Sequence, residues 1–199
     1  MTEVSTKNIN PPQNGLRIAR ATAREVCDIH ALGMAKISAD IASLDTFQNI
    51  HVHNADALWA VYGEDDVMAG FFAFLMLTRD GTDQLVDGML DTRAPSTQAL
   101  AATGEPPHAI YIWALVAEKK VAGALPLVLG AFDAAVYART DLYARPATEG
   151  GLRLMKKCGF RSVVTGGDLE FGALGVFRRS DAPAQIRYPG RSETAHAYV

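Results

Sequence analysis

The chain has 199 residues, the size of a single domain, and 49% of them are hydrophobic, so it is long and apolar enough to bury a core. Nineteen Lys and Arg residues against 22 Asp and Glu residues leave a formal net charge of −3. This balance provides no basic field for a nucleic acid or an anionic membrane surface. We therefore expect neither of them as a partner.

Targeting and redox features are few. The longest apolar run, 67–77, contains Gly70 and is much shorter than the roughly 20 residues that cross a bilayer. Residues 1–14 are polar, without the apolar segment of a secretory signal, and predict a disordered leader. Cys27 and Cys158 form neither a metal motif nor a disulfide framework. We expect a reduced, cytoplasmic protein that binds no metal.

The ordered part is predicted to open with a strand followed by two helices. Residues 16–20 alternate as a short strand. Thr22 and Glu25 then form a capping box, in which hydroxyl and carboxylate satisfy opposing backbone amides. Apolar residues at helical spacing predict a helix over 23–37 and a weaker one over 41–50.

A hairpin and a long irregular segment follow. Strands over 57–62 and 67–77 flank a polar, glycine-containing turn. His51 and His53 precede this hairpin in a predicted loop, where we expect no metal role. Glycines and prolines interrupt residues 78–108, which predicts an insertion with short helical turns and an acidic surface.

Strands and helices alternate in the second half of the chain. Residues 109–117 are almost continuously apolar, which is typical of a central strand buried on both faces. The segment 118–124 leads into an apolar helix over 125–139. The remaining predicted elements are a strand over 141–144, a helix that begins after Thr148 and ends at Cys158 with Gly159 and Phe160 as its cap, a strand pair over 161–165 and 169–178, and a loose tail over 181–199.

This order of elements resembles the GCN5-related N-acetyltransferase family. Local matches lie at 17–21 before the first helix, at 67–70 in the second hairpin strand, and at 151–160, where a helix ends in Gly-Phe. The resemblance covers residues 16–177. It implies an α/β (α+β) fold with a mixed, mostly antiparallel central sheet flanked by helices on both faces, in a single domain over 15–180 that carries the insertion.

The resemblance implies an acetyl-CoA-dependent N-acyltransferase that moves an acetyl group to a primary amine by direct attack in a ternary complex. In that family the backbone of the splayed central strand holds the pantetheine arm, and the corresponding residues are Leu115, Val116 and Ala117. Small residues that open a helix leave backbone N–H groups free for phosphate. The pyrophosphate is accordingly assigned to Lys119, Ala122, Gly123 and Ala124.

Two residues are assigned to proton transfer. Glu118 is placed to take a proton from the attacking ammonium, and Tyr143 to return one to the leaving thiolate. The other reading of Glu118 is a solvent-facing loop carboxylate. The chain departs from the family at Met155, where many members have that tyrosine, and its phosphate segment lacks the first glycine and the Gln or Arg of the pattern. These departures keep open a second interpretation, a catalytically inactive binding or regulatory module with this fold.

The acceptor is expected to be a small-molecule or peptide amine. The acidic insertion favours a cationic one, whose affinity then weakens with salt. Pairing of exposed strands also allows a homodimer, although no residue requires it.

Overall fold

The computed structural model describes residues 15–38, 40–117, 137 and 139–179, and the statements below concern this part of the chain. Its centre is a seven-stranded sheet in the order β1-β2-β3-β4-β5-β7-β6. The strands are β1 (Arg17–Arg20), β2 (Leu58–Tyr62), β3 (Met68–Leu77), β4 (Ala109–Val116), β5 (Asp141–Ala144), β6 (Arg161–Ser162) and β7 (Gly175–Phe177). The helices are α1 (Glu25–Lys36), α2 (Leu44–His53), α3 (Arg79–Val86) and α4 (Glu149–Lys157).

The sheet is mixed and mostly antiparallel, as predicted. Among the described strands, β4 and β5 form the one parallel pair, with Tyr111 beside Tyr143. Every other pair of neighbouring strands in the described part of the chain runs antiparallel. A parallel pair needs a long crossover connection, and residues 117–140 provide its length.

Helices cover both faces of the sheet. One face packs against α1, α2 and α3 through Val26, Ile29, Phe47, Ile50 and Leu85. The opposite face packs against α4 through Met155, together with Phe72, Phe74, Ile110 and Leu142 from the strands. The predicted two-sided arrangement is confirmed, and β4 lies in the middle of it.

The predicted caps of the helices are confirmed. The Glu25 carboxylate accepts from the Thr22 backbone N–H at 2.7 Å, which is the capping box, although the regular helix begins at Glu25 itself. Thr148 accepts from the Gly151 N–H at 3.0 Å at the start of α4. At the end of α4, Gly159 has a φ of +91° and the Phe160 N–H donates to the Met155 carbonyl at 3.0 Å. This is the left-handed cap that glycine allows.

Helix α2 lies three residues later in the sequence than predicted. It begins after Ser43, whose hydroxyl accepts from the Thr46 N–H at 3.2 Å, and it runs to His53. The prediction that His51 and His53 lie in a loop is therefore wrong, because Asn54 ends the helix by donating its backbone N–H to the Ile50 carbonyl. Within the described residues, no group of three or more potential ligands is placed to hold a metal ion.

The segment 78–108 contains the helical turns that were predicted, namely α3 and a 3-10 turn at Thr97–Ala99. It is fastened closely to the body of the protein. A Cβ at Gly81 would lie 2.1 Å from the Ala99 carbonyl oxygen, so the two turns approach at a distance that only glycine permits. The Asn54 side chain donates to the Ala101 carbonyl at 3.0 Å.

Some predicted elements are shorter or lie outside the described residues. The closing strand pair is confined to β6 and β7. The predicted leader (1–14), the tail (181–199) and the helix over 125–139, apart from Tyr137 and Arg139, lie outside the described part of the chain. None of the described helices has the length and apolar character needed to cross a membrane.

Candidate functional site

Strands β4 and β5 separate half-way along β4. The parallel ladder joins Ala109–Ile112 to Asp141–Ala144 and ends there, whereas β4 continues to Val116 in contact with β3. No strand of the described residues pairs with the other edge of 113–116. We call this free edge the β4–β5 opening.

Local sequence explains why β5 stops. Ala144 is followed by Arg145 and Pro146, and proline has no N–H to continue a ladder. The chain then turns into the Thr148 cap of α4, which carries it away from β4. The separation of the two strands is therefore encoded within a few residues after β5.

A bulge in β4 lies at the same level. Ala73 pairs with Ala114 and Phe74 pairs with Ile112, so Trp113 is an extra residue without a partner on β3. Its indole N–H donates to the Thr92 carbonyl at 2.8 Å, and its ring packs 4.5 Å from that of Phe47 on α2. The bulge thus ties the central strand to both the insertion and α2.

The end of β4 differs from its prediction as a strand buried on both faces. Its first three residues are buried, but those from Ile112 to Leu115 are not, and Leu115 is 37% exposed. Val116 is buried and Ala117 is half-buried. The backbone predicted to hold pantetheine, at Leu115, Val116 and Ala117, therefore lies at the β4–β5 opening.

The structure does not place several of the other residues that were predicted to act at the site. Glu118, Lys119, Ala122, Gly123 and Ala124 lie outside the described residues. Their roles as proton acceptor and pyrophosphate cradle stay predictions from the sequence.

Tyr143 lies next to Tyr111 on the α1–α2 face of the sheet, and both are buried. Burial raises the pKa of Tyr143, an effect that the neighbouring Arg178 opposes, so the hydroxyl is protonated at neutral pH. Arg178 lies close to this hydroxyl and donates to Asp141 at 2.8 Å, at the start of β5. The hydroxyl is therefore held at the end of β5 that is remote from the opening.

A cation that sequence reasoning missed, Arg145, lies at the opening. It directly follows β5, and its guanidinium donates to the Gly172 carbonyl at 3.3 Å. Burial raises the pKa of Tyr111, an effect that the neighbouring Arg145 opposes, so the guanidinium lies close to the Tyr111 hydroxyl. The sequence marks only the end of the strand here, because Arg145 precedes a proline, which cannot continue a ladder.

Position 155 offers no proton donor. Met155 is 8% exposed, belongs to the core under α4, and its methyl group would lie 3.1 Å from a Cβ placed at Gly175. It fills space between α4 and β7. Position 155 therefore holds a residue that packs in the core.

A small cleft lies between α2 and the insertion. Its volume is about 130 Å³, and Thr46, Asn49 and residues 94–100 contribute to its lining. Sites for small molecules usually measure about 300–1,000 Å³. This cleft is too small to be the site of a coenzyme.

Comparisons with known proteins add little to this geometry. No protein-family model and no curated protein matches the chain. Among solved structures, the chain is similar to the crystal structure of a GCN5-related N-acetyltransferase from Brucella melitensis. The sequences are 14% identical, the match covers 87% of this chain and 80% of that chain, and the TM-score is 0.48. A match at this level of identity assigns no role to any residue of this chain.

Proposed function

We propose that the protein is an acyl-CoA-dependent N-acyltransferase that transfers an acetyl group to a primary amine. The observation that carries the proposal is the free edge of β4 from Trp113 to Val116, in the middle of the sheet. Free strand edges are common at the margins of sheets, but a free edge between two neighbouring strands is a place for a ligand.

The edge suits the pantetheine arm of the coenzyme. Pantetheine is an extended chain with two amide groups, and such a chain can hydrogen-bond to free backbone N–H and C=O groups as an added strand does. The side chains of Ala114 and Ala117 are small, which leaves room beside the backbone. On this proposal Lys119 and residues 122–124 hold the pyrophosphate, as the sequence predicts.

The proposed reaction needs no covalent enzyme intermediate. The amine nitrogen attacks the thioester carbonyl carbon, a C–N bond forms, the C–S bond breaks, and the proton lost by the amine matches the one that the thiolate gains. Bringing the two substrates together supplies much of the rate, and backbone N–H groups of β4 stabilise the negative charge on the carbonyl oxygen. Glu118 is the predicted proton acceptor, whereas the Tyr143 hydroxyl lies beside Arg178, away from the opening, and does not support the donor role predicted for it.

The acidic residues of the insertion do not support the prediction of a cationic acceptor. Several acids of the insertion already serve local structure: Asp80 accepts from Gln84, Asp91 accepts from the Arg93 backbone, and Glu105 accepts from the Ala102 backbone. Asp83 and Asp87 are exposed on or beside α3. Because α3 follows the end of β3 that pairs with the start of β4, these charges lie at the end of β4 remote from the opening.

One observation favours the alternative of a non-catalytic binding module. The buried Met155 shows that α4 supplies no hydroxyl at the position where many family members have a tyrosine. Such a module keeps the β4–β5 opening and binds the coenzyme without turnover. Only an assay of acetyl transfer distinguishes this module from the enzyme.

Substitution of Ala122 tests the proposal. Ala122→Trp places a bulky side chain where the backbone is predicted to approach the pyrophosphate, and it should abolish acetyl-CoA binding measured by calorimetry. Ala23→Trp is the matched control, because Ala23 is exposed near the far edge of the sheet. Equal acetyl-CoA affinity of both variants and the wild type contradicts the assigned cradle. Binding by the wild type without transfer to any amine leaves the binding module as the function.

A further inference from the structure

Arg145 is the charged side chain positioned where β5 leaves β4. Alternation along β5 places Leu142 and Ala144 on the α4 face and Tyr143 on the α1–α2 face. Arg145 continues on the side of Tyr143, and its proximity to the Tyr111 hydroxyl agrees with that placement. The guanidinium therefore stands at the α1–α2 side of the β4–β5 opening.

This guanidinium has no carboxylate partner among the described residues. Five other arginines of this part of the chain pair with aspartates, namely Arg17, Arg20, Arg93, Arg161 and Arg178. Arg145 instead donates to a neutral oxygen, the Gly172 carbonyl, and lies beside the Tyr111 hydroxyl. A guanidinium has five N–H donors, so within the described part of the chain it keeps donors and a positive charge for a ligand.

We infer that Arg145 binds a carboxylate of the acceptor, so that the acceptor is an amine that also carries a carboxylate, such as a free amino acid. The inference rests on the proposed function, because that function places the acceptor beside the opening. A planar guanidinium binds a carboxylate through two parallel hydrogen bonds, which fixes orientation as well as position. Trp113 is half-buried on the same face of β4, one residue beyond Ile112, the last position of β4 that pairs with β5.

Tyr111 acts as a positioning residue in this arrangement. Tyr111 is buried, and its hydroxyl lies beside the exposed Arg145 guanidinium, where accepting a hydrogen bond would hold the guanidinium at the opening. Tyr111→Phe should therefore raise KM for the carboxylated acceptor without an equal loss of kcat. The same variant should leave KM for an uncharged acceptor unchanged.

The experiment uses matched acceptors on the full chain. Amino acids and their α-amides share the amine and the side chain but differ in the carboxylate, and transfer from acetyl-CoA is followed by thiol release. The wild type should prefer the acid over the amide by about 10- to 100-fold in kcat/KM, the effect expected of a charge-assisted bidentate bond. Arg145→Gln should reduce this acid-to-amide ratio to near one. Its kcat/KM for the amide should stay within about threefold of the wild-type value. Arg145→Lys, which keeps the charge but not the fork, should give an intermediate ratio.

Arg153→Gln is the control for loss of positive charge. Arg153 is exposed on α4, which packs on the opposite face of the sheet, and its removal should leave the preference unchanged. If Arg145→Gln retains the wild-type ratio, or if the wild type uses amides as well as acids, the inference is overturned while the proposed function stands.

A binding measurement separates this inference from the proposed function. Thermal shift of the wild type and Arg145→Gln with the acid and the amide, in the absence of acetyl-CoA, requires no turnover. A shift by the acid that Arg145→Gln abolishes supports the carboxylate site even if no transfer is detected, in which case the transferase function fails alone. Equal response of the two proteins to the acid contradicts the site.

Discussion

Tyr111 and Tyr143 stand side by side in the parallel pair of β4 and β5, yet their hydroxyls lie beside different arginines. Arg145, beside the first, follows the end of β5, and Arg178, beside the second, hydrogen-bonds to Asp141 at its start. Both rings begin at the same level of the sheet, four residues before Leu115. The two hydroxyls therefore face opposite ends of the strand pair.

Tyr143→Phe tests the predicted proton donor. A general acid that protonates the thiolate contributes about 100-fold or more to the rate. Because the Tyr143 hydroxyl lies beside Arg178 instead of facing the opening, we expect less than a threefold fall in kcat and a loss of about 1 kcal/mol in the free energy of unfolding. A 100-fold fall in kcat with unchanged stability would restore Tyr143 as the donor.

Met155→Tyr tests whether a hydroxyl at position 155 can act in the proposed transfer. The site is buried under α4 against Gly175, so the larger side chain should cost about 1–3 kcal/mol of stability, measured by urea unfolding. We expect no gain in transfer rate. A gain of tenfold or more in kcat would place position 155 beside the thioester.

Gly81→Ala tests how the insertion is attached. The added Cβ would meet the Ala99 backbone, which has no flexible end to move aside, so we expect a loss of about 1–3 kcal/mol or more. Gly150→Ala in α4 is the opposite case, since its Cβ meets only the Thr148 hydroxyl at 3.8 Å. That variant should be up to about 1 kcal/mol more stable, because alanine favours the helix. Equal effects of the two substitutions would contradict the close contact.

Glu25→Gln tests the capping box through its pH dependence. Burial acts to raise the pKa of Glu25, but hydrogen bonds from Tyr62 and Thr22 outweigh it and leave the pKa lowered from 4.5. A lowered folded-state pKa stabilises the fold above the unfolded value and loses that contribution as the pH falls through the folded value. The wild type should therefore be more stable than Glu25→Gln by about 1 kcal/mol at pH 7, with a smaller difference below pH 4.5.

Asp28→Asn is the control for that measurement. Asp28 lies on the same helix but is exposed, so its substitution should change stability less across the same pH range. Urea unfolding at pH 7 and pH 3.5 gives both differences. A constant difference for Glu25→Gln at the two pH values contradicts the assigned role of its carboxylate.

Local chemistry made much of the fold predictable. The Thr22–Glu25 capping box, the Thr148 cap and the Gly159 terminus are encoded by side chains within three or four residues, and all are found. The apolar run of β4 correctly predicted a central strand. The prediction that this strand is buried on both faces was wrong. Leu115 is exposed because β5 stops before it, and a hydrophobic pattern does not show where a neighbouring strand stops.

The candidate site was harder to predict because it depends on contacts between distant segments. Arg145 meets Tyr111 across 34 positions and Gly172 across 27. The bulge at Trp113 arises from pairing with β3, and no local signal marks it. Helix α2 ends at His53, and the next residue, Asn54, bonds to the insertion at Ala101, 47 residues away in sequence.

Hydrogen exchange tests whether acetyl-CoA binds along the free edge of β4. Amide exchange of a peptide that covers Trp113 to Val116 is measured with and without saturating acetyl-CoA, and a peptide that covers Leu58 to Tyr62 serves as the internal reference. If the free edge of β4 holds the coenzyme, exchange of the first peptide slows on binding and that of the reference does not. Saturating acetyl-CoA that leaves exchange at Trp113 to Val116 unchanged would contradict the account.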